Sequence, residues 1–110
     1  MAFNIEISDT SRFTVKFTAK DDKGVEKTSS FDLIAQRLDV ESFKTTLETV
    51  GGIYADFMVA VVKGWEGVRD GNGTPVEFSE AALRSICKIA GMSSLMFKAY
   101  CAETAVKEKN

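Results

Sequence analysis

GWEGVRDGNGTPVEFS, residues 64–79, decides how the two halves of this 110-residue chain are joined. It holds the lone tryptophan, Trp65, a glycine on either side of Asn72, and the only proline, Pro75. Two chemical readings suggest themselves. Asp70, Asn72 and Thr74 alternate like the first ligands of a calcium loop. Such a loop needs glycine at its sixth place and glutamate at its twelfth, where this chain has Pro75 and Ala81. Gly71 and Gly73 suggest a phosphate cradle, yet the segment leads through Pro75 into Val76, Glu77 and Phe78 instead of opening a helix with lysine and threonine. What remains is a short hairpin near residues 66–78, with Val68 before the turn and Val76 and Phe78 after it, feeding a helix N-cap at Ser79. Trp65, Gly71, Gly73, Pro75 and Ser79 are therefore read as structural residues.

Downstream of the turn, Ser79 caps a helix whose first residue is Glu80 and whose apolar face is Leu83, Ile86, Cys87 and Ala90, stopped by Gly91. A last helix is expected from Ser93 or Ser94 onward, with Met96, Phe97, Tyr100, Cys101 and Thr104 on one side. Upstream, a helix is expected from Ile53 to Trp65. It is apolar almost all round, which places it in the centre of the core or against a partner. Before it, Asp39 is an N-cap, and Val40, Phe43, Leu47 and Val50 recur at helical spacing until Gly51 and Gly52 interrupt.

The N-terminal third has the other periodicity. In FTVKFTA, residues 13–19, Phe13, Val15, Phe17 and Ala19 face one way and Thr14, Lys16 and Thr18 the other, as in a half-buried strand. DDKG at 21–24 is a turn, and a second strand runs from about Val25 to Leu33. The expected architecture is α+β in one domain: a β-hairpin region over 1–36, a helical region over 39–106 containing the short second hairpin, and a flexible charged end at 107–110.

Composition narrows function. Fourteen basic and sixteen acidic residues give a net charge of −2, so no global field draws the chain to nucleic acid or to an anionic membrane. Lys16, Lys20, Lys23 and Lys27 are interleaved with Asp21, Asp22 and Glu26, which reads as a solvated strand edge more than a phosphate-binding stripe beneath stacking phenylalanines. No run approaches the roughly 20 apolar residues of a membrane span, and the N-terminus lacks a signal-peptide pattern, so the expected compartment is the cytoplasm. The absence of histidine removes the commonest general base and zinc ligand, and no paired carboxylates stand out in its place. Cys87 and Cys101 lack CxxC spacing and are expected to be reduced. No catalytic, metal or cofactor-binding residue is expected, and the protein reads as a non-enzyme.

In WEGVRDGNGTPVEFSEAALRSI, residues 65–86, the order of elements resembles the tail assembly chaperones of long-tailed bacteriophages. An apolar helix ends at tryptophan; then come a glycine turn, a proline, Phe-Ser-Glu opening a helix, and a second short helix followed by an aromatic. The N-terminal β-segment and the chain length extend the resemblance. It implies a homo-oligomer in the host cell cytoplasm, absent from the mature virion, that binds and solubilises the tape measure protein. It also implies a longer product of programmed frameshifting that recruits the tail tube protein. A structural head or tail component such as a completion protein, retained in the virion, is the alternative.

Large apolar residues at helical spacing, Trp65 and the run from Met92 to Tyr100 among them, are usually core. Methionines and aromatics also adapt well to varied partners, so Phe57, Met58, Met96, Phe97 and Tyr100 are the residues expected to contact a helical partner laid in a groove.

Overall fold

The computed structural model describes residues 9–104. Residues 105–110, with the expected flexible end at 107–110, lie outside the described residues, as do residues 1–8 of the hairpin region. The elements are β1 (Thr10–Lys20), β2 (Glu26–Gln36), α1 (Val40–Thr49), α2 (Tyr54–Val61), β3 (Val62–Glu66), α3 (Glu80–Cys87) and α4 (Met92–Thr104). They form an α+β fold in which an antiparallel sheet of order β1-β2-β3 carries helices on one face.

Alternation builds the hairpin. β1 and β2 pair without a register break from Thr10 opposite Gln36 to Lys20 opposite Glu26. The connecting turn is held by the Asp21 carboxylate, whose Oδ1 accepts the N–H groups of Lys23 and Val25 at 2.9 Å each. Phe13, Val15, Phe31, Leu33 and Ala35 are the residues this alternation points inward, and all are buried.

α1 starts where expected, with Asp39 Oδ1 accepting Ser42 N–H at 2.7 Å. It ends where Gly51 and Gly52 take φ of 65° and 75°, left-handed backbone that a side chain would strain, while their N–H groups cover the carbonyls of Glu48 and Leu47. α3 begins on Ser79, whose Oγ accepts Ala82 N–H at 3.1 Å.

The structure moves several element boundaries: β2 runs on past Leu33 to Gln36, α3 ends at Cys87 short of Gly91, and one stretch changes its type. The expected helix from Ile53 to Trp65 stops at Val61, and Val62 is already extended, with φ −77° and ψ 131°. Residues 62–66 instead form β3, the third strand of the sheet. β-branched Val61 and Val62 followed by Gly64 weaken a helix, and β2 offers a ladder to pair with. The pairing runs Ala35 to Val62, Ile34 to Gly64, Leu33 to Trp65 and Asp32 to Glu66, leaving Lys63 as the extra residue of a β-bulge. That bulge turns both Val62 and Trp65 toward the core, three residues apart, a spacing that imitates one turn of helix.

α4 lies on the sheet at β1, α2 packs against α4, and α3 packs against both helices. Tyr100, Phe57, Leu33, Met58, Leu83, Met96, Val15 and Val61 are the largest fully buried side chains, each stabilising by roughly 1.5–3 kcal/mol if Leu- or Phe-sized. The outer face is polar. Arg12 on β1 bonds Asp32 on β2 at 2.9 Å and Glu66 on β3 at 2.7 Å, and Thr14 donates to Asp32 at 2.7 Å, a rung that crosses all three strands.

Candidate protein-binding surface

The side chains expected to meet a partner are mostly core. Phe57, Met58, Met96 and Tyr100 are each at most 1% exposed, so this structure corrects their assignment as contact residues. The cause is geometric: Met92, Met96 and Tyr100 form the i, i+4, i+8 stripe of α4 and face the sheet and α2. Tyr100 lies edge-on to Phe13 and Phe57, and its hydroxyl donates to the Gln36 carbonyl at 2.7 Å. Burial pushes its phenol pKa up, which keeps it a neutral donor. Phe97 is half-buried. It stacks on Tyr54 with ring centroids 4.4 Å apart and touches Phe43 and Phe57.

The hairpin at residues 66–78 forms as the sequence indicates. Val76 N–H bonds the Val68 carbonyl, Arg69 pairs with Pro75, and the Asp70 carboxylate accepts the N–H groups of Asn72 and Thr74. Gly73 has φ of 79°, so its lack of a side chain is used; Gly71 has no positive φ and nothing near it, so any residue fits there. Trp65 clamps this hairpin to the core. Its Nε1–H donates to the Val76 carbonyl at 2.8 Å, and its ring meets Phe78 edge-on at 5.1 Å. The stretch thus fixes the path from β3 to α3.

Beside that hairpin the surface opens into a cleft of about 440 Å³. Its apolar walls are Phe17 and Phe31 from the sheet, Val68 from the start of the hairpin, and Ile86, Ile89 and Met92 from the α3–α4 corner. Ser29, Ser30 and Arg69 supply its polar rim. The cleft exists because β3 is short. It pairs with β2 only over residues 32–35, and Gly67 then leads the chain away, so residues 26–31 of β2, paired with β1 on one side, have no strand on the other among the described residues. Ile89, 55% exposed, stands at the rim. Sequence reasoning passed over Ile89 because it follows the last residue of α3, outside the helical stripe, and passed over Phe17 because strand alternation assigned it to the core. The available signal was the end of the ladder, which only the β2–β3 register reveals.

A second apolar area surrounds the start of α2, where Ile53 and Tyr54 are exposed beside Phe97. Among the described residues no group of three or more acidic or thiol side chains gathers that could hold a metal ion, and no helix is long and apolar enough to cross a membrane. Cys87 and Cys101 are free, and burial raises both thiol pKa values. Comparison of the chain with protein-family models, curated proteins and solved structures finds no match in any of the three.

Proposed function

We propose that this chain is a tail assembly chaperone of long-tailed bacteriophages. It acts in the host cytoplasm without cofactor or catalysis, binds the tape measure protein to keep it soluble, and serves tail tube recruitment through a longer frameshifted product. The observation that carries the reading is the apolar cleft between Phe31 and Ile89. It is an open, water-facing concavity with mixed aromatic, aliphatic and methionine walls and few polar groups, which suits transient burial of a partner's apolar side chains. Its rim has one cation, Arg69, and two hydroxyls, so it is shaped for apolar surface and not for a highly charged ligand. The element order over residues 65–86 points the same way.

The test is co-expression with a tape measure protein from the same genome. Ile89→Asp places a charge at the mouth of the cleft at an exposed position, so the fold should persist while soluble partner falls. Val40→Asp, at an 86% exposed position that does not line the cleft, should leave partner solubility unchanged. Equal partner solubility with and without the wild-type domain would end the chaperone reading.

A further inference from the structure

Among the described residues, no strand pairs with the outer edge of β1 along residues 12–18. β1 is the outer strand of the sheet, eleven residues long, with no proline, glycine or bulge to blunt it. The far end of α4 does not close it off: Arg12, Thr14, Lys16 and Glu103 line an open hollow of about 500 Å³ there.

Which backbone groups face that edge follows from the two ends of the hairpin. Asp21 N–H bonds the Val25 carbonyl, and Arg37 N–H bonds the Asp9 carbonyl. Between these ends the register never shifts, so odd-numbered residues of β1 exchange hydrogen bonds with β2. Even-numbered residues, Arg12, Thr14, Lys16 and Thr18, therefore turn their N–H and C=O groups to the open side.

The geometry points to a dimer in which β1 pairs antiparallel with β1 of a second copy about a two-fold axis at Val15, making one six-stranded sheet. The side-chain order selects this register. With Val15 opposite itself, Thr14 faces Lys16 of the second copy and Arg12 faces Thr18, so each of these cations meets a hydroxyl. Phe13 faces Phe17, an aromatic cross-strand pair at the closer, non-hydrogen-bonded positions. Half-buried Phe17 would then gain a second aromatic neighbour besides Phe31. Moving the axis one residue to Thr14 sets Arg12 against Lys16, and moving it to Lys16 sets that lysine against itself; both arrangements are repulsive. Axes at Phe13 or Phe17 also avoid like charges but pair a shorter stretch, whereas the register centred on Val15 pairs residues 12–18 throughout with no like-charge pair. Self-association agrees with the homo-oligomer that the chaperone reading implies, but the pairing leaves the β2 cleft open and does not rest on what the cleft binds.

Sedimentation equilibrium across a concentration series tests it on the full chain. Wild type should show a monomer–dimer equilibrium. Lys16→Pro removes an N–H that faces away from β2, so the hairpin ladder survives and the dimer should be lost with an unchanged circular dichroism spectrum. Thr18→Lys sets a lysine against Arg12 of the second copy twice per dimer and should weaken association about 5- to 30-fold; Thr18→Glu should tighten it by a similar factor. If Lys16→Pro fails to fold, the Thr18 pair decides the matter. A wild-type protein that stays monomeric to millimolar concentration, or a dimer whose dissociation constant neither Thr18 variant moves, overturns the proposal.

Discussion

Removing the indole of Trp65 should cost the fold about 3–5 kcal/mol, as for other large-to-small core changes. Two losses add in Trp65→Ala: the packing of a buried ring against Phe78, and the hydrogen bond that ties β3 to the second strand of the short hairpin. Trp65→Phe separates them. It keeps most of the apolar bulk and leaves the Val76 carbonyl without its Nε1–H donor, so it should cost only about 1–3 kcal/mol. Chemical denaturation of the two variants checks the ranking, and a Trp65→Ala protein as stable as wild type would show that the clamp is dispensable. The same residue shows why side-chain roles were unequally legible. Ser79, Asp39 and Pro75 act within a few residues of themselves, so sequence spacing suffices to place them. Phe57, Met58, Met96 and Tyr100 carry the same apolar signature whether they face a core or a partner, and only the packing of α4 against β1 and α2 tells which.

At the scale of elements, α1 is held most weakly. None of its ten residues is buried, and it rests on the core through partly buried Leu47 and Phe43, whose ring lies 5.2 Å from Phe57 and 6.1 Å from Phe97. Isolated helices of this length are marginal in water, so its persistence depends on those contacts. Amide hydrogen exchange should find α1 opening well before α4, and Phe43→Ala should speed α1 exchange by about tenfold or more while α4 is hardly affected. Protection in α1 equal to that in α4 would contradict this. The elements themselves differ in how much of them the sequence discloses. β1, β2, α1 and α3 have periodicity and caps that agree. The α2–β3 boundary was hidden because Phe57, Met58, Val61, Val62 and Trp65 fit a helical stripe, and the bulge at Lys63 lets a strand satisfy the same spacing.

For the whole molecule, stability should be nearly level from about pH 5 to 8, because the chain has no histidine to titrate there. The acid limb is set by carboxylates whose folded pKa lies below the ordinary value. Asp32 is held down first by the Thr14 hydroxyl and then by Arg12, and Asp39 by the Ser42 N–H at the α1 cap. Depressed carboxylates contribute stability above an unfolded pKa of about 3.9 and lose it as pH falls through the folded value. Melting temperature should therefore decline below about pH 4. Asp32→Asn should melt below wild type at neutral pH, with the two curves converging in acid. Curves that stay parallel would mean that the rung joining the three strands adds nothing to stability through its charge. The cleft belongs to this scale as well. It is bounded by the sheet, the short hairpin and the α3–α4 corner, so no single segment of sequence announces it.

The direct passage from Val61 in α2 to Val62 in β3 bears on how this chain can change in length. No loop stands between the two elements to absorb a mismatch. One residue inserted there would swing the buried face of α2 by about 100° or turn Trp65 to the polar side of the sheet. The turn at residues 70–74 is exposed and closed by local bonds, so extra residues there would displace nothing in the core. Length variation among descendants of this sequence should therefore accumulate at that turn and be purged at the helix–strand junction. The spacing from Phe57 to Trp65 is in that sense a fixed ruler inside an otherwise extensible chain.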